Sequence, residues 1–180
     1  MGCLLVRALS LLAALLLVIQ PAQAVLNDDR YDGNIYALYA GNGSLVPPAN
    51  PLADSLEQGR TAVIVYYLDD SAVSKRFAPV VSELQRLWGR NIDLLPLTID
   101  PLQGRDATGP ADPASYWHGV IPQVVVIGPD AKVMFDQEGQ VPLNEINSAI
   151  SQATGLPAPE LPSLDQEGSF NEVNIEVTSG

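Results

Sequence analysis

The sequence predicts an α/β sandwich, a mixed β-sheet with helices packed against its faces. Three observations carry this. Residues 62–68, "AVIVYYL", form an unbroken β-branched and aromatic run that suits a central strand covered on both faces. Directly after it, Phe77, Val80, Val81, Leu84, Leu87 and Trp88 recur at intervals of three, four and seven, the apolar stripe of a helix. Further on, two short strand-like runs flank "GPDA", a tight-turn sequence, and read as an antiparallel hairpin. A strand–helix–strand unit followed by a hairpin makes a mixed sheet.

Taken in order, residues 34–40 alternate well enough to be a first strand, ended by Gly41-Asn42-Gly43. Pro47, Pro48 and Pro51 mark a turn-rich connection, and 52–58 is a short helix closed by Gly59. The strand at 62–68 leads through a polar turn into the long helix, where Gly89 sits at the C-cap and Pro79 is expected to kink the middle. Residues 93–100 return to strand character, and Pro96 pushes that strand toward a sheet edge. A Pro-, Gly- and Asp-rich loop, 101–115, follows. The hairpin strands are 123–127 and 132–136, and Pro142 opens a last helix carrying Leu143, Ile146 and Ile150 and ending near Gly155.

The ends have a different character. Residues 1–24 combine Arg7, an apolar run over 8–19 and Ala22-Gln23-Ala24, the layout of a signal peptide, with an N-terminal membrane anchor as the alternative. Residues 25–155 are the expected folded domain. Residues 156–180 hold prolines and acids but no base, and read as a disordered acidic tail.

Composition excludes some functions. With 9 basic and 21 acidic residues the chain carries −12, which disfavours nucleic acid as a partner and docking on anionic lipid by charge alone. Its one cysteine, Cys3, lies in the N-terminal segment, so cleavage after Ala24 would leave no thiol and no disulfide.

Two junctions hold the candidate functional residues. The first is "YYLDDSAVSKRFAP", where the strand meets the long helix; the second is Ile121-Pro122, just before the hairpin. Both resemble the thioredoxin fold. That family carries an aromatic-Cys-x-x-Cys turn, a following Lys, an Ala-Pro kink, and an Ile-Pro bond in cis facing the turn. Here Ser71 and Ser74 stand where the cysteines would be, followed by Lys75 and Ala78-Pro79. More narrowly, "YDGNIYALYAGNGSLVPP", the "YLDDS…SKRFAPVVSELQ" stretch and "IPQVVVIGPDAKVMFDQEGQVP" are similar to a cyanobacterial family, the thylakoid membrane photosystem I accumulation factor. The resemblance implies a thioredoxin-like domain without the Cys-x-x-Cys pair, located at the thylakoid membrane, with photosystem I subunits or assembly intermediates as partners.

Each candidate has a bland reading beside its functional one. Serine cannot exchange disulfides, and as a nucleophile it needs a base that only His118 could supply, so Asp70 and Ser71 read as helix caps. Asp69 and Asp70 make the turn acidic, open to a basic partner segment or a metal but more simply solvated. Lys75, with no thiol to activate, reads as a solvated surface residue. His118 alone is no metal site. Tyr116 and Trp117 offer an aromatic anchor for a partner, and Ile121-Pro122 an edge on which an extended peptide could pair. Trp88 reads as core. The expectation is therefore a non-catalytic binding protein without a cofactor, its site formed by Asp69, Asp70, Ser71, Ser74, Tyr116, Trp117, Ile121 and Pro122. The alternatives are a structural subunit of a thylakoid complex and a non-thiol enzyme using Asp69, Asp70 and His118.

Overall fold

A computed structural model describes residues 26–161; the expected signal or anchor segment and most of the expected tail lie outside them. The described helices are α1 (Ile35–Ala40), α2 (Leu52–Glu57), α3 (Ala72–Trp88) and α4 (Leu143–Thr154), and the strands are β1 (Ala62–Tyr67), β2 (Asp93–Thr98), β3 (Gln123–Ile127) and β4 (Val133–Glu138). The strands form one sheet in the order β2-β1-β3-β4. β1 and β2 are parallel, Ala62 opposite Asp93, whereas β1–β3 and β3–β4 are antiparallel. The α/β class, the crossover through α3 and the hairpin are thus as expected.

The period-two alternation of β1 divides the core. Val63, Val65 and Tyr67 join Phe77, Val81, Leu84, Trp88 and Ile146 on the face covered by α1, α3 and α4. Ala62, Ile64 and Tyr66 face the other way, among Leu52, Leu95, Ile99 and Leu102. Trp88 is core as predicted, and its indole N–H donates to Asn147 Oδ1 on α4 at 2.7 Å. α3 runs through Pro79 as one helix of 17 residues. Gly89 follows as its C-cap, where only glycine fits: a Cβ there would lie 2.5 Å from the Gln85 carbonyl oxygen.

Pro96 sits on the edge strand, and the ladder explains how. Asp93 N–H donates to the Thr61 carbonyl, so positions 93, 95 and 97 turn their backbone groups toward β1 and Pro96 turns outward. Its missing N–H therefore costs no ladder bond.

One predicted element is different. Residues 34–40 are a helix, α1, not a strand. Asn34 Oδ1 accepts from the N–H groups of Tyr36 and Ala37 at 2.9 and 3.2 Å, and at the far end Gly41 adopts φ +61° while Asn42 N–H closes on the Tyr36 carbonyl at 2.8 Å. Both ends are fastened by residues that sequence patterning reads as turn formers. Ile35 and Tyr36 are buried and Ala37 and Leu38 exposed, a helical rather than alternating distribution, but six residues are too few to display the period.

The segment after α4 turns back along it. Ser151 Oγ donates to the Leu156 carbonyl at 2.6 Å, and Asn147 Nδ2 to the Pro159 carbonyl at 3.1 Å. Residues 156–161 of the expected tail are thus attached to the domain.

Candidate functional site

The turn between β1 and α3 is held by one serine side chain and by a carboxylate from the N-terminal segment. Ser74, on the first turn of α3, is 1% exposed and its Oγ accepts the Leu68 N–H at 3.2 Å. Ser71 occupies the N-cap position, but its side chain makes no capping bond. The cap comes from elsewhere in the chain: Asp29 Oδ1 accepts the Ala72 N–H at 2.8 Å. This corrects the local-cap reading, since the capping carboxylate is 43 residues distant in sequence.

Lys75 is the larger correction. It is fully buried, not solvated. Its Nζ donates to the Arg30 carbonyl at 2.6 Å, to Asp32 Oδ2 at 2.8 Å and to the Asp28 carbonyl at 3.0 Å, and lies 5.6 Å from the centre of the Tyr39 ring. The Tyr39 hydroxyl donates to the same Asp32 oxygen at 2.7 Å. Burial is the largest single influence on the Lys75 pKa and pushes it down, but the hydrogen bonds and charges of Asp32, Tyr39 and Asp28 together outweigh it and the net shift is upward. Asp32 is held well below the usual carboxylate range, first by its bond from Lys75 and then by that from Tyr39. The sequence signal for this arrangement was the acidic run around Arg30, which carries no spacing that ties it to Lys75.

The N-terminal segment therefore lies across the start of α3, where a thioredoxin presents its thiols. Asp69, half-buried, accepts the Ile35 N–H at 3.2 Å; burial raises its pKa, opposed by that bond and assisted by Asp70. Asp70 is exposed. Of the turn residues, Asp70 is the one left open to a partner's approach.

The second junction is close by through the end of β4. Ile121–Pro122 is cis. Gly139 N–H donates to the Pro122 carbonyl at 2.7 Å, and the adjacent Gln140 side chain donates to the Val73 carbonyl on α3 at 2.7 Å. Tyr116 and Trp117 belong to the neighbouring loop. The Trp117 ring stacks at a tilt on Tyr66, with centroids 5.2 Å apart, and the Tyr66 hydroxyl donates to the Pro113 carbonyl at 2.7 Å. Burial raises the Tyr66 pKa well beyond the phenol range. Gln123, fully buried, ties the loop to the hairpin through the Tyr116 carbonyl and Asp136 Oδ1 at 2.7 and 2.8 Å.

His118 belongs to this loop, and the carboxylates beside it are Asp136, 3.3 Å from Nε2, and Glu138, 3.4 Å from Nδ1. The grouping with Asp69 and Asp70 that an enzyme reading requires does not occur among these contacts. Among the described residues no group of three His, Cys, Asp or Glu side chains is arranged to hold a metal ion.

The parallel β1–α3–β2 unit, the antiparallel β3–β4 hairpin and the cis-proline before β3 define a thioredoxin-like protein whose thiol positions hold serine. Compared with known proteins, the chain is 38% identical over 157 residues to the thylakoid membrane protein slr1796 of the cyanobacterium Synechocystis sp., a match spanning 87% of this chain and 78% of that one. The chain belongs to this family of thylakoid membrane proteins. No protein-family model matches it. Among solved structures, it is similar to the exposed lipoprotein thioredoxin of Streptococcus pneumoniae, at 13% identity and TM-score 0.45, over 56% of this chain and 89% of that one. A redox protein from Chlamydomonas reinhardtii gives 13% identity and TM-score 0.44, over 81% of this chain and 42% of that one. No described helix is long and apolar enough to cross a membrane.

Proposed function

We propose that this chain is a non-catalytic, thioredoxin-like factor that supports photosystem I accumulation or assembly at the thylakoid membrane by binding protein partners. The observation that carries the non-catalytic part is the turn itself. Ser74 Oγ is committed to a backbone N–H, and the neighbouring Lys75 is committed to the N-terminal segment. Neither group is placed as a nucleophile or base. The photosystem I part rests on the sequence resemblance described above, together with membership in a thylakoid membrane family.

Partner contact would fall on the accessible rim of the two junctions: Asp70, the Tyr116–Trp117 loop and Val120, 43% exposed, just before Ile121-Pro122. Buried Ser71 and Ser74 would shape this face without touching the partner. A photoreactive residue at Val120 in solubilised thylakoids tests the reading. Capture of photosystem I subunits or assembly intermediates supports it. Co-migration with a finished thylakoid complex would instead make the chain a structural subunit. A deletion strain with an unchanged ratio of photosystem I to photosystem II would sink the accumulation role.

A further inference from the structure

Residues 26–33 lie across the start of α3 but belong to neither apolar cluster of the core. Their two large apolar side chains, Leu26 and Tyr31, are exposed. Among the described residues, no backbone–backbone hydrogen bond ties them to a helix or strand. The bonds that join them to α3 are polar. Asp29 takes the Ala72 N–H, and Lys75 donates to the Asp28 and Arg30 carbonyls and to the Asp32 carboxylate. Arg76 adds a long contact, 3.5 Å, to Asn27 Oδ1. The chain changes character at Gly33, whose φ of +117° suits glycine alone. Beyond it, the Asn34 cap and buried Ile35 and Tyr36 fix α1 to the domain.

Such a segment can leave without unfolding what lies behind it. Substituting one partner of the Lys75 network strands the other, but detaching the whole segment does not. Lys75 and the carboxylates then return to water together, and their hydration offsets much of what the contacts contribute. A stretch with no apolar anchor and a glycine at its root belongs to the low end of the local-opening scale. The Asp69 bond to the Ile35 N–H lies beyond that root and stays in place.

We propose that residues 26–33 are an autoinhibitory strap that opens as a unit about Gly33 while the domain stays folded. Closed, the strap blocks the start of α3. Open, it frees the Ala72 N–H, the Lys75 ammonium and the turn at 69–71 for a partner. The gating role rests on the partner reading given above, whereas the opening does not and is measured with no partner present.

The test uses the full chain with Cys3→Ser as background, which removes the sole cysteine, and one reporter thiol at a time. Ala72→Cys sits where Asp29 caps α3, at a buried position outside both apolar clusters, and Ala149→Cys sits within the core on α4. Reaction with a small thiol reagent is followed at urea concentrations below the unfolding transition. Urea dependence scales with the surface an opening exposes. Labelling of Ala72→Cys should therefore be nearly flat with urea, and labelling of Ala149→Cys should rise steeply. Equal slopes overturn the proposal, because the strap would then open only with the whole domain. Adding Asp29→Ala and Asp32→Ala should speed labelling of Ala72→Cys at least about tenfold, with the slope still flat, since hydrogen bonds to charged groups are lost. An unchanged rate, or a gain that comes with a steep slope, overturns the strap as the cover. In the unaltered chain, trypsin should cut after Arg30, whose carbonyl Lys75 holds in the closed state, while Arg76 and Arg86 within α3 stay uncut. Cutting at all three together contradicts a local opening.

Discussion

Lys75 shows how much one buried charge can organise. Its ammonium is removed from water and compensated by the backbone and carboxylates of residues 28–32, which fastens the N-terminal segment to α3. Lys75→Met keeps the aliphatic volume but leaves Asp32 without its strongest partner. A removed partner in a buried pair is costly, so the variant should melt well below Arg76→Met, a change at the exposed neighbouring position. The pH dependence has a definite sign. Asp32 titrates below its ordinary value of 3.8, so its contribution is complete above that pH and lost as pH falls through the depressed folded value. Lys75 titrates above 10.5, so its contribution is complete below that pH and lost as pH rises through the raised value. Urea midpoints of wild type and Lys75→Met should therefore differ most near neutrality and converge at strongly acidic pH. A second residue-scale test concerns Trp88→Phe, which strands the buried Asn147 Oδ1 now bonded to the indole. It should cost about 1–3 kcal/mol in chemical denaturation.

At the scale of elements, β2 and α3 each carry a proline whose consequence depends on position. Pro96 turns its backbone away from β1 yet is buried, so the missing N–H avoids a buried donor without a partner. Pro96→Val would place an N–H with no ladder partner at this buried position and should cost about 1–3 kcal/mol in chemical denaturation. α3 poses the question of lost chemistry. Its first turn has the shape of a redox site, but Lys75 is neutralised by carboxylates and Asp29 occupies the cap. Ser71→Cys with Ser74→Cys should thus yield a protein that reduces insulin poorly, since a carboxylate at the helix N-terminus opposes the thiolate that catalysis needs. Activity comparable to a thioredoxin would show that the N-terminal segment leaves the turn free.

Much of the element-level architecture is legible in the sequence. β1, α3 and the hairpin have runs long enough to display their period, and Gly89 and Gly155 mark helix ends. The sequence of α1 reads as a strand because six residues bounded by Asn and Gly support either structure, and only the caps decide between them. The candidate site was legible only in part. Ser71, Ser74, Ile121 and Pro122 are recognisable from their register with a known pattern. Asp28, Asp29 and Asp32 are not, because they act across more than 40 residues of sequence and no local spacing encodes such a contact.

For the whole molecule, one covering dominates. The N-terminal segment lies over the turn that thioredoxins expose, and the chain after α4 turns back along that helix as far as it is described. The surface left for a partner in the proposed function is the loop before Pro122 and the acidic rim at Asp70. A protein of net charge −12 meeting a basic partner there should bind with an association rate that falls as salt rises. Kinetic measurements with the partner captured through Val120 would check this, and a salt-independent rate would point to an apolar contact instead. By itself the sequence determined the α/β class, the strand and helix periods and the absence of cysteine at the turn, because those are local properties of pattern and composition. Only the tertiary structure decided that Lys75 is buried, that Asp29 caps α3 and that Asp32 holds the N-terminal segment down. Each of those depends on residues distant in sequence meeting in space, where burial makes a charge pair mandatory rather than optional.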